Sequence, residues 1–311
     1  MASIERSTLD GGETIELRAA EYSATFVPAV GMVGISLRHR GEEFLALPAD
    51  LAGYRQGAWT GLPILHPWAN RLGSRRFRVA GRDVDLTDLD VPTDPGGLPI
   101  HGTLTAAEGW ALTGTTVDTA ADSAGFSAAF DHRARPDLLA AFPFRHRLLI
   151  SIALCEDGLT VETVLDVDDG EVVPASFGWH PYFRLPGARR SSWRLGLPER
   201  EHMELDDRGL PTGSVRAEPA ELAPLADRSF DELYALRDDR RLSLESDRHR
   251  LEIEFDLNYR YAQVFAPPDH DFVCLEPMTA PTNALVTGKV PLVGSGDTTF
   301  GAAFTIRIAD R

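Results

Sequence analysis

Two side chains in this sequence have the type and setting to move a proton. Glu276 lies in "DFVCLEPMTAPTNAL". Strand alternation puts Phe272, Cys274 and Glu276 on one face, with Val273 and Leu275 on the other. A carboxyl in line with Phe and Cys, on a strand ending at Pro277, is expected to be partly desolvated. Desolvation raises its pKa and makes it a better base. The alternative is a rim glutamate paired with an arginine. His180 lies in "SFGWHPYFRLPG", between Trp179 and Pro181, with Tyr182 on its side by alternation. An aromatic surround beside a polar tip suits the apolar faces of a sugar ring. The alternative is a core histidine bonded to a carbonyl.

Three further stretches break the local pattern. In "GGLPIHGTL", His101 precedes Gly102, where the backbone can approach a ligand closely. In "GLPILHPWANRLGSRRF", Arg71 follows Asn70 and can fork onto vicinal hydroxyls or a carboxylate; a structural salt bridge is the alternative. Asp231, in "SFDELYAL", reads equally well as a ligand or as a turn or helix cap. His66 and the cluster Arg75, Arg76 and Arg78 read as a solvated strand face. His101, His180 and Glu276 together resemble a two-His-one-carboxylate set, but HxH, HExxH and CxxC spacings are absent, so no metal is expected. Serine-nucleophile, phosphate-loop and dinucleotide motifs are absent too, and no cofactor is expected.

The elements that must position these residues are strands. In "LLISIALCEDGLTVETVLDV", Leu148, Ile150, Ile152 and Leu154 share a face, as do Leu159, Val161, Thr163, Leu165 and Val167; Asp157-Gly158 between them signals a two-residue hairpin. "RFRVAGRDVDL" repeats this around Ala80-Gly81, and "RLSLESDRHRLEIEFDL" around Ser246-Asp247. The last stretch alternates at Phe304, Ile306 and Ile308. Residues 135–143 can form a short helix before Pro143 stops it. No internal repeat or Pro/Gly linker divides the chain. The expected fold is all-β, a large antiparallel β-sandwich forming one domain over residues 1–311, with an open concave binding face.

Composition narrows the partners. The 311 residues are 43% hydrophobic, enough for a substantial core, and carry a formal charge of −16. That charge argues against nucleic acid and anionic membrane. Two cysteines, Cys155 and Cys274, make no disulfide framework. The charged first residues lack an apolar h-region, and no apolar run approaches a membrane span. A cytoplasmic protein, monomer or homodimer, is expected.

Together the stretches resemble the aldose 1-epimerase (galactose mutarotase) family from about Gly61 onward. The matching positions, in the family's order, are Asn70-Arg71, His101-Gly102, His180-Pro181-Tyr182-Phe183, Phe230-Asp231 and Leu275-Glu276-Pro277. The resemblance implies that Glu276 is the general base and His180 the general acid. Arg71, His101 and Asp231 would bind sugar hydroxyls, with His101 also near the ring oxygen. Asn70, and Trp179 and Tyr182 as an aromatic wall, complete the expected sugar contacts. His66-Pro67-Trp68 departs from the family pattern, so the site wall is expected to differ there. The implied activity is anomer exchange on a free aldose. A phosphorylated or sulfonated sugar would need arginines such as Arg75, Arg76, Arg189 and Arg190 in the cleft. A non-catalytic sugar-binding protein is the reading from a different class.

Overall fold

The alternating segments form strands, and every strand pairing is antiparallel. The computed structural model describes all residues except Ser295. His146–Cys155 and Gly158–Val167 make a hairpin in which Cys155 pairs with Gly158, so the loop is Glu156-Asp157, one residue earlier than the sequence suggests. Gly158 is instead the first strand residue. Arg76–Val79 and Arg82–Asp85 pair around Ala80-Gly81, whose φ values of 45° and 78° suit a primed turn. Pro136–Ala141 is the short helix expected before Pro143.

Among the described residues the strands assemble into a nine-stranded sheet, an eight-stranded sheet, a five-stranded sheet over residues 3–43 and two hairpin-sized ladders. In the nine-stranded sheet, Phe126, Ile152, Val161, Phe304 and Phe255 form one row across five paired strands. All five are buried, and the eight-stranded sheet packs against this face. Trp179 makes the crossing visible. From Gly178–Trp179 its indole Nε1 donates to Thr163 Oγ1 at 3.0 Å, and its ring meets Phe304 at 6.1 Å. The core therefore lies between the two large sheets. The opposite face of the eight-stranded sheet is left free to carry polar chemistry.

Alternation gives that free face its residues. Tyr182, Cys274, Phe265 and Asp231 lie in one cross-strand row. Glu276, Gln263, Leu233 and Met203 lie in the next. Asp231 is thus a strand residue in Phe230–Leu236, not a cap.

His66 is not on a solvated face. It is buried with His132 and His146 under the loop that carries His101. His146 Nδ1 lies 2.8 Å from the Phe144 carbonyl, which can only accept, so His146 carries its proton there. His66 Nε2–H must then donate to His146 Nε2 across 2.8 Å. His132 stacks on His146 at 4.4 Å, and neither of its ring nitrogens has a partner. Burial holds the His132 imidazole down to about 3 and that of His146 down to about 4.

These imidazoles stay neutral in the fold, whereas unfolded histidine takes a proton near pH 6.5. Between about pH 6.5 and 4 the unfolded chain binds more protons, so stability is full above this window and is lost as pH falls through it. The melting temperature is therefore expected to drop steeply from pH 7 to pH 4.5. His132→Phe should flatten that drop, measured by thermal unfolding at each pH.

Candidate active site

The site is assembled where the free face of the eight-stranded sheet meets two loops. Glu276 comes from Val273–Met278 and Asp231 from Phe230–Leu236, while His180 lies between Gly178–Trp179 and Tyr182–Phe183. Asn70, Arg71 and His101 come from the loops, where Asn70 and His101 adopt left-handed φ of 58° and 62°. Such values are uncommon away from glycine and cost of order 1 kcal/mol or more each, so they persist only where the surroundings hold them. Here the two residues hold each other. His101 N–H donates to the Asn70 carbonyl at 3.1 Å, and Asn70 N–H donates to His101 Nδ1 at 3.2 Å. Gly102 follows with φ of 76°, and a Cβ there would lie 2.1 Å from the His66 carbonyl oxygen. Only glycine fits that approach.

These contacts also decide a tautomer. His101 Nδ1 accepts an amide proton, so a neutral His101 carries its hydrogen on Nε2 and presents a fixed donor. Burial, with His180 adjacent, keeps this imidazole neutral by pushing its pKa well below the usual range.

His180 Nε2 lies 3.2 Å from Glu276 Oε1. Tyr182 stacks on His180 at 4.6 Å, and Trp59 lies nearly parallel to it on the cleft at 6.1 Å. Burial pushes the Glu276 carboxyl well up, with Asp231 adding to the shift, and pushes His180 down to about 3. Both shifts favour the uncharged forms, a protonated Glu276 beside a neutral His180. That is the reverse of the charge placement that mutual attraction alone would give. Taking two ions out of water costs several kcal/mol each, more than an unsupported pair recovers. Among the described residues, Glu276 Oε2 and His180 Nδ1 are buried without a partner.

Around this pair is a cleft of about 340 Å³. Asn70, Arg71, His101, His180, Tyr182, Asp231 and Glu276 all line it. Arg71 is held on three sides. Its Nε donates to Asp94 at 2.8 Å, its Nη2 to Asp231 at 3.2 Å and its Nη1 to Asn70 Oδ1 at 3.3 Å. Arg71 is therefore both salt-bridged and part of the cleft lining. Asp231 also accepts from Gln263 Nε2 at 2.6 Å.

Several lining residues escaped the sequence reading, among them Trp59, Asp94, Gln263 and Phe265. Gln263 and Phe265 were detectable as the outward positions of "YAQVFA", directly opposite Glu276 and Cys274. Asp94 sits in "TDPGG", which reads simply as a turn, and Trp59 lies in a loop with no periodicity at all.

One expected wall residue is elsewhere. Trp179 is fully buried and points to the core, because it alternates with His180 to the opposite side of the sheet. His66, Pro67 and Trp68 are buried as well and do not line the cleft, so this departure from the family pattern changes packing and not the wall. The arginines suggested for an anionic sugar are also engaged away from it. Arg75 donates to the Leu86 carbonyl and Arg76 pairs with Asp85. Arg190 is buried against the carbonyls of Ala226, Arg228 and Ala266. Arg189 is exposed and does not line the cleft. Among the described residues, no group of three or more His, Cys, Asp or Glu is arranged to hold a metal ion, and no helix is long and apolar enough to cross a membrane.

Solved structures share this architecture. A galactose mutarotase-like protein from Clostridium acetobutylicum superposes with a TM-score of 0.87 at 21% identity, covering 100% of this chain and 99% of that one. Galactose 1-epimerase from Lactobacillus acidophilus gives 0.78 at 15% identity, with 100% and 99% covered. A galactose mutarotase-like protein from Lactobacillus casei gives 0.74 at 17%, with 95% and 100% covered. At such identities the likeness defines the fold, which is galactose mutarotase-like. The aldose 1-epimerase family model matches residues 13–287, and the chain belongs to that family. No curated protein sequence matches it.

The Arg71–Asp94 pair is largely buried, with side chains 16% and 8% exposed. Removing Asp94 takes away a charge-assisted hydrogen bond but leaves Arg71 paired with Asp231. Asp94→Ala is expected to cost about 1.5–3 kcal/mol, read from the urea unfolding midpoint.

Proposed function

We propose that the chain is an aldose 1-epimerase that interconverts the α and β anomers of a free aldose. One observation carries this reading: a carboxyl and an imidazole lie 3.2 Å apart on the floor of a cleft of sugar size. Ring opening requires one proton to leave O1 and another to reach the ring oxygen. A bound sugar brings hydroxyl donors to Glu276 Oε2, which otherwise has none, and so favours the carboxylate beside protonated His180. Glu276 then takes the O1 proton while His180 gives its proton to the ring oxygen.

The open aldehyde is left beside an uncharged Glu276–His180 pair, the state that burial favours. Rotation about C1–C2 and closure on the other face reverse both transfers. The pair carries one proton in total before, during and after the exchange. His101 Nε2–H supplies a donor that does not titrate in the working range. Arg71 and Asp231 meet the remaining hydroxyls, and Tyr182 and Trp59 offer apolar faces to the ring. No covalent intermediate is required.

Glu276→Gln and His180→Asn should each lower kcat by about 10²–10⁴-fold. The measurement is the decay of optical rotation of freshly dissolved α-D-glucose and α-D-galactose. If the wild-type chain leaves both at the buffer rate, epimerisation of these neutral hexoses is wrong.

A further inference from the structure

The polar inventory of the cleft is lopsided. Arg71 is the one Arg or Lys among the lining residues, and each of its three nitrogens already donates one hydrogen bond, two of them to carboxylates. Against it stand the carboxylates of Asp94 and Asp231, with the carboxyl of Glu276 beside them. Two acceptor atoms on the lining, Glu276 Oε2 and Gln263 Oε1, have no partner among the described residues, although each residue is only 1% exposed. Unmet buried acceptors call for a ligand rich in N–H or O–H donors.

The imbalance continues outward. A groove of about 550 Å³ shares Arg71, Asp94, Pro95 and Asp231 with the cleft. It adds the carboxylates of Asp206, Asp207 and Glu232 and a single further cation, Arg208. The turn that bears Asp206 and Asp207 lies close to Arg71, since a Cβ at Gly209 would lie 2.8 Å from Arg71 Nη1.

We infer that the cleft selects its substrate by charge, taking aldoses that carry an ammonium group away from the anomeric carbon in preference to neutral ones and refusing anionic ones. This rests on the epimerase reading of the same cleft. An ammonium group brings three donors and a positive charge to a region with spare acceptors and excess carboxylate. A phosphate brings neither and finds no free cation on the cleft lining.

The test compares D-glucose, 2-amino-2-deoxy-D-glucose, 6-amino-6-deoxy-D-glucose and D-glucose 6-phosphate, by polarimetry above the buffer rate and by calorimetric binding. At low ionic strength at least one amino sugar should exceed glucose in kcat/KM by about two- to fivefold, the scale of a partly exposed charge interaction. That advantage should shrink in about 0.5 M salt. It should shrink likewise in Asp207→Lys and, more mildly, in Asp207→Asn, while glucose turnover is unchanged. Glucose 6-phosphate should fall at least ~10-fold below glucose, as like-charge juxtaposition predicts.

Amino sugars no better than glucose, an advantage indifferent to salt and to Asp207, or phosphate handled as well as glucose would each overturn the inference. If no sugar is accelerated, the epimerase reading fails on its own. Charge selection then stands or falls on whether an amino sugar binds more tightly than glucose.

Discussion

A carboxyl group in a dry place dominates this molecule. Glu276 is removed from water with one imidazole as its partner, and half of its hydrogen-bonding capacity is unused. Nothing about that arrangement favours folding, because a buried, half-satisfied acid costs more than an apolar residue of the same size. It persists because the strand bearing it is pinned on both sides. Tyr261–Ala266 pairs along one edge, and Gly178–Trp179 and Tyr182–Phe183 pair along the other. The stability comes from the opposite face, where Val273 and Leu275 join the core between the large sheets. One strand thus provides both the cost and the means to bear it, and alternation keeps the two apart.

The loops obey the same logic on a smaller scale. Asn70 and His101 sit in unfavourable backbone conformations and are stabilised by hydrogen bonds to each other. Asn283 adds a third tie, donating its N–H to the Arg71 carbonyl at 2.9 Å and accepting from Gly73 N–H at 2.8 Å. The residues after Glu276-Pro277 therefore clamp the segment that carries Asn70 and Arg71. Strain at the site is held by contacts between segments far apart in the chain, a pattern expected where geometry serves chemistry and not stability.

The histidines show how far environment outweighs residue type. His101 and His180 line the cleft, and their partners differ: His101 Nδ1 accepts an amide proton, while His180 Nε2 faces the Glu276 carboxyl at 3.2 Å. His66, His132 and His146 form a second group in the interior. They are neutral for the same reason, desolvation, but they pack against one another and Phe142, and His146 bonds to the Phe144 carbonyl. Five imidazoles with one intrinsic pKa are sorted into three kinds of behaviour by burial and by what each ring nitrogen meets.

Much of this was legible from sequence, and the limits have a physical cause. Period-two alternation reports which face a residue takes, so the strands, the hairpins at Ala80-Gly81 and Ser246-Asp247, and the shared face of Phe272, Cys274 and Glu276 could all be read locally. Short motifs in a family order brought His101, His180, Arg71, Asp231 and Glu276 into one candidate site. What alternation cannot report is which face meets the core when both faces carry aromatics. Trp179 and His180 are neighbours with opposite fates, and only the packing of Trp179 on Thr163 and Phe304 decided which was inside. Nor can it place loop residues. Trp59 and Asp94 reach the cleft, and His66 its buried cluster, through contacts between distant segments, which no local pattern encodes. The pKa shifts of His180 and Glu276 likewise come from their burial, and burial exists only once the sheets have closed.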